Sequence, residues 1–142
     1  MPIRFEKGYQ VIMFELTQRK NGFALRLEGL VDLGQMRRID FQLQDEWAGM
    51  NSGFCLLVDA RAFHMFTAEA QALFEHLLEE GRAQGLQRIT VLGVSTGLAM
   101  VFCNSMIRTD LMPHYQFMDT SYEPNWKQEI EEWLNAPFEV EV

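Results

Sequence analysis

Long apolar runs are missing from this chain: no stretch reaches the eighteen or more apolar residues that a membrane-spanning helix needs. A transmembrane protein is therefore not expected. Cysteine is scarce. The two that occur, Cys55 and Cys103, each lie inside an apolar stretch, which fits small buried hydrophobes in a reducing compartment better than a disulfide framework. Histidine is scarce too: His64, His76 and His114 lie far apart, and no Cys-x-x-Cys or His-x-x-x-His spacing supplies two ligands from one element, so no metal site and no cofactor are expected. Basic charge is in deficit, with 12 Lys and Arg against 20 Asp and Glu and a net charge of -8. Such a surface repels phosphate backbones and anionic headgroups at long range, which argues against nucleic acid as a partner. The opening residues Met1 to Glu6 meet charge before any apolar run, so no targeting segment is expected and the reading is cytoplasmic.

What is present suits an ordinary globular chain. Hydrophobic residues make up 48% and charged residues 23% of 142, enough for one self-sufficient core and a single domain over 1–142. No internal repeat, linker or low-complexity run divides it.

The chain begins with a hairpin. Tyr9–Lys20 and Phe23–Glu28 are joined by Asn21-Gly22, a dipeptide that tolerates the positive φ angles of a two-residue type I′ turn. In the second arm Phe23, Leu25 and Leu27 alternate with Ala24, Arg26 and Glu28, the pattern of a strand buried on one face. Asp32 and Gln35 form a capping box, after which Met36, Ile39, Leu43, Trp47 and Met50 recur at helical spacing.

The central unit follows. Phe54–Val58 is a continuous apolar run, as in a parallel strand covered on both faces, and it stops at Asp59. A loop with an apolar tip, Phe63-His64-Met65-Phe66, leads to a helix over 67–84 capped by Thr67, with Ala70, Leu73, Phe74, Leu77 and Leu78 on one stripe. Gly85 ends that helix. A strand over Arg88–Val94 follows, then a helix over 97–108 capped by Ser95 or Thr96. That helix has one core face, and Ala99, Met100, Cys103 and Ile107 make a second face apolar as well. Tyr115–Met118 reads as a last short strand. Thr120 and Glu123 form a capping box before Trp126, Ile130, Trp133 and Leu134, with Pro124 in the helix's first turn. The expected fold is α/β: a mixed sheet with an N-terminal hairpin and a parallel βαβ core, about five strands and four helices in all.

Three features carry possible chemistry. Gly93-Val94-Ser95-Thr96-Gly97 matches G-x-S-x-G between a strand and a helix. A serine esterase through Ser95 would have to draw its carboxylate and histidine from Asp110 and His114 on one short loop, so an ordinary helix cap is the better reading. Asp59, with Arg61 two residues on, is a ligand contact or general base in one reading and a structural ion pair in the favoured one. Finally, Phe63, His64, Met65 and Phe66 cannot all turn inward, and an exposed apolar patch marks a partner or ligand surface.

Over Phe54–Glu80 the chain resembles the STAS domains, the anti-sigma-factor-antagonist family, and especially their SpoIIAA-like branch, which shares its architecture with SEC14-type lipid-binding modules. The resembling features are the apolar strand ending in Asp59, the loop after it, the helix beginning near Thr67, Gly85, and the closing Tyr115–Met118 strand with its helix. In phospho-switch members an Asp-Ser-Ser-Gly run opens the helix and its serine is phosphorylated. Here Ala68 and Glu69 stand at the serine and its neighbour, so the resemblance implies a domain without the usual switch, with Thr67 as the one possible phosphosite.

The resulting expectation is a non-enzymatic interaction or regulatory domain. It uses Asp59, Arg61, Phe63, His64, Met65, Phe66 and Thr67, with Met100 and Cys103, to bind a protein partner or a second copy of itself as a homodimer. The alternative left open is a carrier or sensor of a small apolar, lipid-like ligand.

Overall fold

The period-2 pattern around Phe23 becomes the second arm of an antiparallel pair: β2 (Phe14–Arg19) runs against β3 (Gly22–Val31). These and the other coordinates come from a computed structural model that describes residues 2–3, 14–19, 22–50, 53–122 and 124–135. The register pairs Arg19 with Gly22, so the glycine is the first residue of the strand and not part of the turn; Lys20 and Asn21 lie outside the described residues. Gly22 is required by close approach, since a Cβ there would run into the backbone of Cys55 on the neighbouring strand. A two-residue strand, β1 (Pro2–Ile3), adds an edge that the sequence did not announce.

After β3 come α1 (Leu33–Trp47), β4 (Phe54–Phe66), α2 (Ala68–Gln84), β5 (Leu86–Gly93), α3 (Thr96–Arg108), a 3-10 turn (Met112–His114), β6 (Tyr115–Asp119) and α4 (Trp126–Asn135). The capping box at Asp32 and Gln35 forms as expected. Gly85 closes α2 in the left-handed region at φ 116°. Pro124 stands two residues ahead of α4, not in its first turn, and Glu123 lies outside the described residues.

The six strands form one sheet in sequence order, and β3, β4, β5 and β6 run parallel. The expectation that 54–58 and 89–93 lie side by side and run the same way is met: Leu56 pairs with Ile89 and Val58 with Val91. Because these strands are laid down one after another in one direction, crossovers of one hand put α1, α2 and α3 on the same face. There Met36, Ile39, Leu43 and Trp47 of α1, Phe74 and Leu77 of α2, and Phe102 and Met106 of α3 share one core with Phe54, Leu56 and Val58. The second face holds a smaller cluster of Cys55, Leu57, Leu92 and Met118 under Ile130 of α4, with Trp126 against it. Burial pushes the Cys55 thiol up to about 12, so it packs there as an inert hydrophobe.

Candidate functional site

The largest departure from the sequence reading lies where the apolar loop was expected. β4 does not stop at Asp59; it continues to Phe66, paired throughout with β3. Arg26 pairs with Asp59 but Glu28 with Ala62, and Gly29 pairs with Phe63 but Leu30 with Met65, so β4 takes up one extra residue twice. Two such bulges turn the side-chain period from two into three. Ala60, Phe63 and Phe66 therefore all face the core, while Arg61, His64 and Met65 face outward. Gly29, at φ 62° with open space about it, supplies the left-handed backbone on the facing strand.

Phe63 and Phe66 are consequently not surface residues. They belong to an aromatic cluster with Phe74 and Phe102, with Phe63 and Phe66 ring centroids 4.7 Å apart and Phe66 stacked on Phe74 at 5.0 Å. Of the three apolar side chains at the tip only Met65 is exposed, at 48%, beside Leu30 at 50%, its partner across the strands. His64 is exposed as well.

Thr67 is the N-cap of α2, its Oγ1 accepting from the Ala70 N–H at 3.2 Å and its own N–H donating to the Val31 carbonyl at 3.0 Å. Ser95 caps α3 in the same way through the Leu98 N–H, at 3.2 Å. A hydrolytic triad through Ser95 is not assembled. Ser95 follows the upper end of β5, whereas His114 precedes Tyr115, which pairs with Ile89 near the lower end. From Ile89 to Gly93 the strand rises about 13 Å, and Ser95 lies beyond that end. His114 instead places Nδ1 3.0 Å from the Gln87 carbonyl, and Asp110 pairs with Arg82.

Asp59 and Arg61 form the structural ion pair of the favoured reading. Nε and Nη2 of Arg61 donate to the two carboxylate oxygens at 2.8 and 2.7 Å, and this donation raises the guanidinium's pKa further. The guanidinium also lies 4.4 Å from the ring centroid of Trp126. No local pattern could have announced that contact, because it joins residues far apart in the chain. Both groups are on the second face, away from α3.

Met100 and Cys103 lie together on the flank of α3 turned away from α2. Met100 is 56% and Ile107 60% exposed, Cys103 is half-buried with Sγ 3.9 Å from Sδ of Met112, and Met112 is 41% exposed. The expectation of two buried thiols thus holds for Cys55 and not for Cys103. The opposite flank of α3 is tied to α2: Glu75 accepts from Ser105 Oγ at 2.9 Å and from Arg108 Nη2 at 2.5 Å, which lowers its pKa. The residues proposed from sequence as one surface therefore separate into a buried aromatic cluster, an exposed end of β4, an ion pair on the second face, and the flank of α3. Ile107, which belongs with the last, was signalled by the second apolar face of that helix; Met112 was not.

No protein-family model matches the chain, and no curated protein sequence matches it significantly. Solved structures do. A DUF3478-family protein from Shewanella loihica PV-4, described as having a SpoIIAA-like fold, superposes with TM-score 0.63 at 13% identity over 86% of this chain and 92% of its own. The chain has the SpoIIAA-like fold. Two structures of SpoIIAA itself agree: the anti-sigma factor antagonist in its unphosphorylated form (TM-score 0.61, 15% identity, 87% of this chain and 100% of that one), and the Bacillus cell fate determinant in its phosphorylated form (TM-score 0.57, 16% identity, 83% and 99%). The SpoIIAA-like topology accounts for the placing of Thr67 and Ala68, which open the helix leaving the central strand. Among the described residues no helix is long and apolar enough to cross a membrane.

Proposed function

We propose that this SpoIIAA-like domain is a non-enzymatic, cytoplasmic interaction module that docks a protein partner on the outer flank of α3, and that a second copy of the chain is one such partner. The observation that carries the reading is the run of Met100, Ile107 and Met112 around Cys103, exposed on a helix whose other side is fully engaged with the core. Leaving that area in water forgoes about 25 cal/mol for each Å² a partner would cover, and contiguous exposed apolar surface of this kind marks interfaces. The anti-sigma factor antagonist of the same fold makes a regulatory role the natural setting.

The phospho-serine switch has no counterpart in this reading, because Ala68 carries no hydroxyl and the Thr67 hydroxyl is occupied as a cap. A carrier of a purely apolar ligand has less support: the second apolar face of α3 opens to solvent among the described residues. Light scattering coupled to size exclusion over a range of concentrations tests the proposal. The parent chain should populate a dimer that Met100→Glu or Ile107→Glu abolishes without loss of helical signal. A parent that stays monomeric throughout removes self-association. The partner must then be another chain, retained by the immobilised parent and lost by the immobilised Ile107→Glu variant; equal retention by both rejects the α3 surface.

A further inference from the structure

The second face of the sheet carries a cleft that the α3 surface does not use. α4 covers Leu57 and Leu92, and a cavity of ≈ 370 Å³ opens between it and the β2–β3 side, which no other described element covers. Its depth has a local cause. Thr17, Ala24 and Leu57 stand in one row across β2, β3 and β4, and the two small side chains leave the sheet low beside Ile130. The next row across the same strands is charged: Glu15, Arg26 and Asp59. Trp126 and Lys127 of α4 close the side.

Most of the lining charges are already committed. Arg61 turns Nε and Nη2 to Asp59 and lies against Trp126. Arg26 reaches Glu28 at 3.2 Å and Glu15 at 3.5 Å through its terminal nitrogens. Two donors remain. Nε of Arg26 is buried with no hydrogen-bond partner, and Nζ of Lys127, 5.6 Å from the Trp126 ring centroid, has no carboxylate partner among the described residues. A buried donor without an acceptor is costly, and an acceptor that reaches it recovers the deficit. The remaining carboxylate, Glu131, lies one helical turn beyond Lys127 on α4. Arg26, Arg61 and Lys127 balance Glu15, Asp59 and Glu131, so the cleft is locally neutral on a chain of net charge -8.

We infer that this cleft binds a compact amphiphilic carboxylate: an aromatic or branched apolar body over Ala24, Leu57 and Ile130 beside Trp126, with its anionic end at Lys127 Nζ and the Arg26 guanidinium. The volume falls in the range of small-molecule sites, and an apolar floor with a few convergent polar groups is their usual make-up. A single negative charge suits two free donors set among three carboxylates, whereas a dianion would face uncompensated repulsion. The inference does not depend on the α3 surface, which lies on the other face, so either can fail without the other.

The test uses three compounds of one shape and different charge: 4-phenylbutyrate, 4-phenyl-1-butanol and 4-phenylbutylamine, titrated calorimetrically into the full chain and followed in parallel by tryptophan fluorescence. The acid should bind saturably, with the alcohol about tenfold weaker and the amine weaker still, as expected for hydrogen bonds to charged groups. Lys127→Met, at an exposed helix position that leaves the fold intact, should weaken the acid by about three- to tenfold and leave the alcohol unchanged. Arg26→Met should do the same where it folds. Trp126→Phe should lose most of the fluorescence change. Absence of binding by the acid, equal binding of all three compounds, or a Lys127→Met variant that binds the acid as the parent does would each overturn the inference.

Discussion

On one face of the sheet three helices press a continuous core against the strands, from Trp47 of α1 through Phe74 of α2 to Phe102 of α3; on the other, α4 lays Ile130 and Trp126 over Cys55, Leu57, Leu92 and Met118. The first face is apolar down to the bulged end of β4, where Phe63 and Phe66 are brought inward. The second carries a charged row, a cleft and the Asp59–Arg61 pair. The division follows from topology. Parallel crossovers of one hand pile successive helices on one side, leaving the other to whatever the chain adds at its end. Stability should therefore reside on the first face, while the second is free to hold polar groups that a packed core would exclude.

The sharpest way to break that comparison is to open a cavity on each side. Phe74 is fully buried, stacked on Phe66 and edge-on to Phe102 at 5.8 Å. Phe74→Ala should cost about 3–5 kcal/mol through lost burial and an unfilled cavity. Ile130→Ala, in a small cluster beside an open cleft that can relax, should cost about 2 kcal/mol, at the low end for such a truncation. Urea unfolding with the slope unchanged measures both. Equal losses would mean that α4 is as much a part of the core as α2, and the division between the faces would be wrong.

How much of this could be read in the sequence differs between the same two regions. The helices of the first face declared themselves, because amphipathic spacing and caps are local: Asp32 with Gln35, Thr67 before Ala70, and Gly85 all do what their types and positions imply. The continuous apolar run at Phe54–Val58 and the mostly apolar strand beginning near Arg88 gave the parallel pair. The upper half of β4 was illegible for a physical reason. Two bulges change the side-chain period in mid-strand, so Ala60, Phe63 and Phe66 carry neither the period of a strand nor the length of a helix. An apolar tip in a loop was the natural misreading of a strand that twists its aromatics inward. The second face was harder still, since the contact of Arg61 with Trp126 and the row Glu15–Arg26–Asp59 depend on register between distant segments. The apolar flank of α3 was visible in its composition, but only the fold shows that its neighbour there is Met112.

The comparison can be sharpened by pH. Glu75, between α2 and α3, has its pKa lowered chiefly by hydrogen bonds from Arg108, with a further contribution from Ser105 and partial burial opposing. A carboxylate whose pKa is lower folded than unfolded contributes stability above its unfolded pKa and loses it as pH falls through the folded one. The contact between α2 and α3 should thus weaken progressively from the ordinary carboxylate range downward. Glu75→Gln should lower the urea midpoint near neutrality and flatten its fall toward acid, the two proteins converging at low pH. An unchanged acid limb in Glu75→Gln would show that the clamp is not what couples the two helices.

The smallest effect is expected at Thr67, where the two halves of the molecule's argument meet: the residue ends the bulged strand and starts the first-face helix. Thr67→Ala removes one side-chain acceptor from the Ala70 N–H and leaves the backbone bond to Val31 in place. The loss should be about 1 kcal/mol, a melting shift of roughly 3–4 °C for a chain of this size. It stays small because α2 is held chiefly by Ala70, Phe74, Leu77 and Leu78 and not by its cap. Differential scanning calorimetry distinguishes the outcomes. A loss matching that of Phe74→Ala would mean that the end of β4, and not the aromatic cluster beneath it, anchors the helix-covered face.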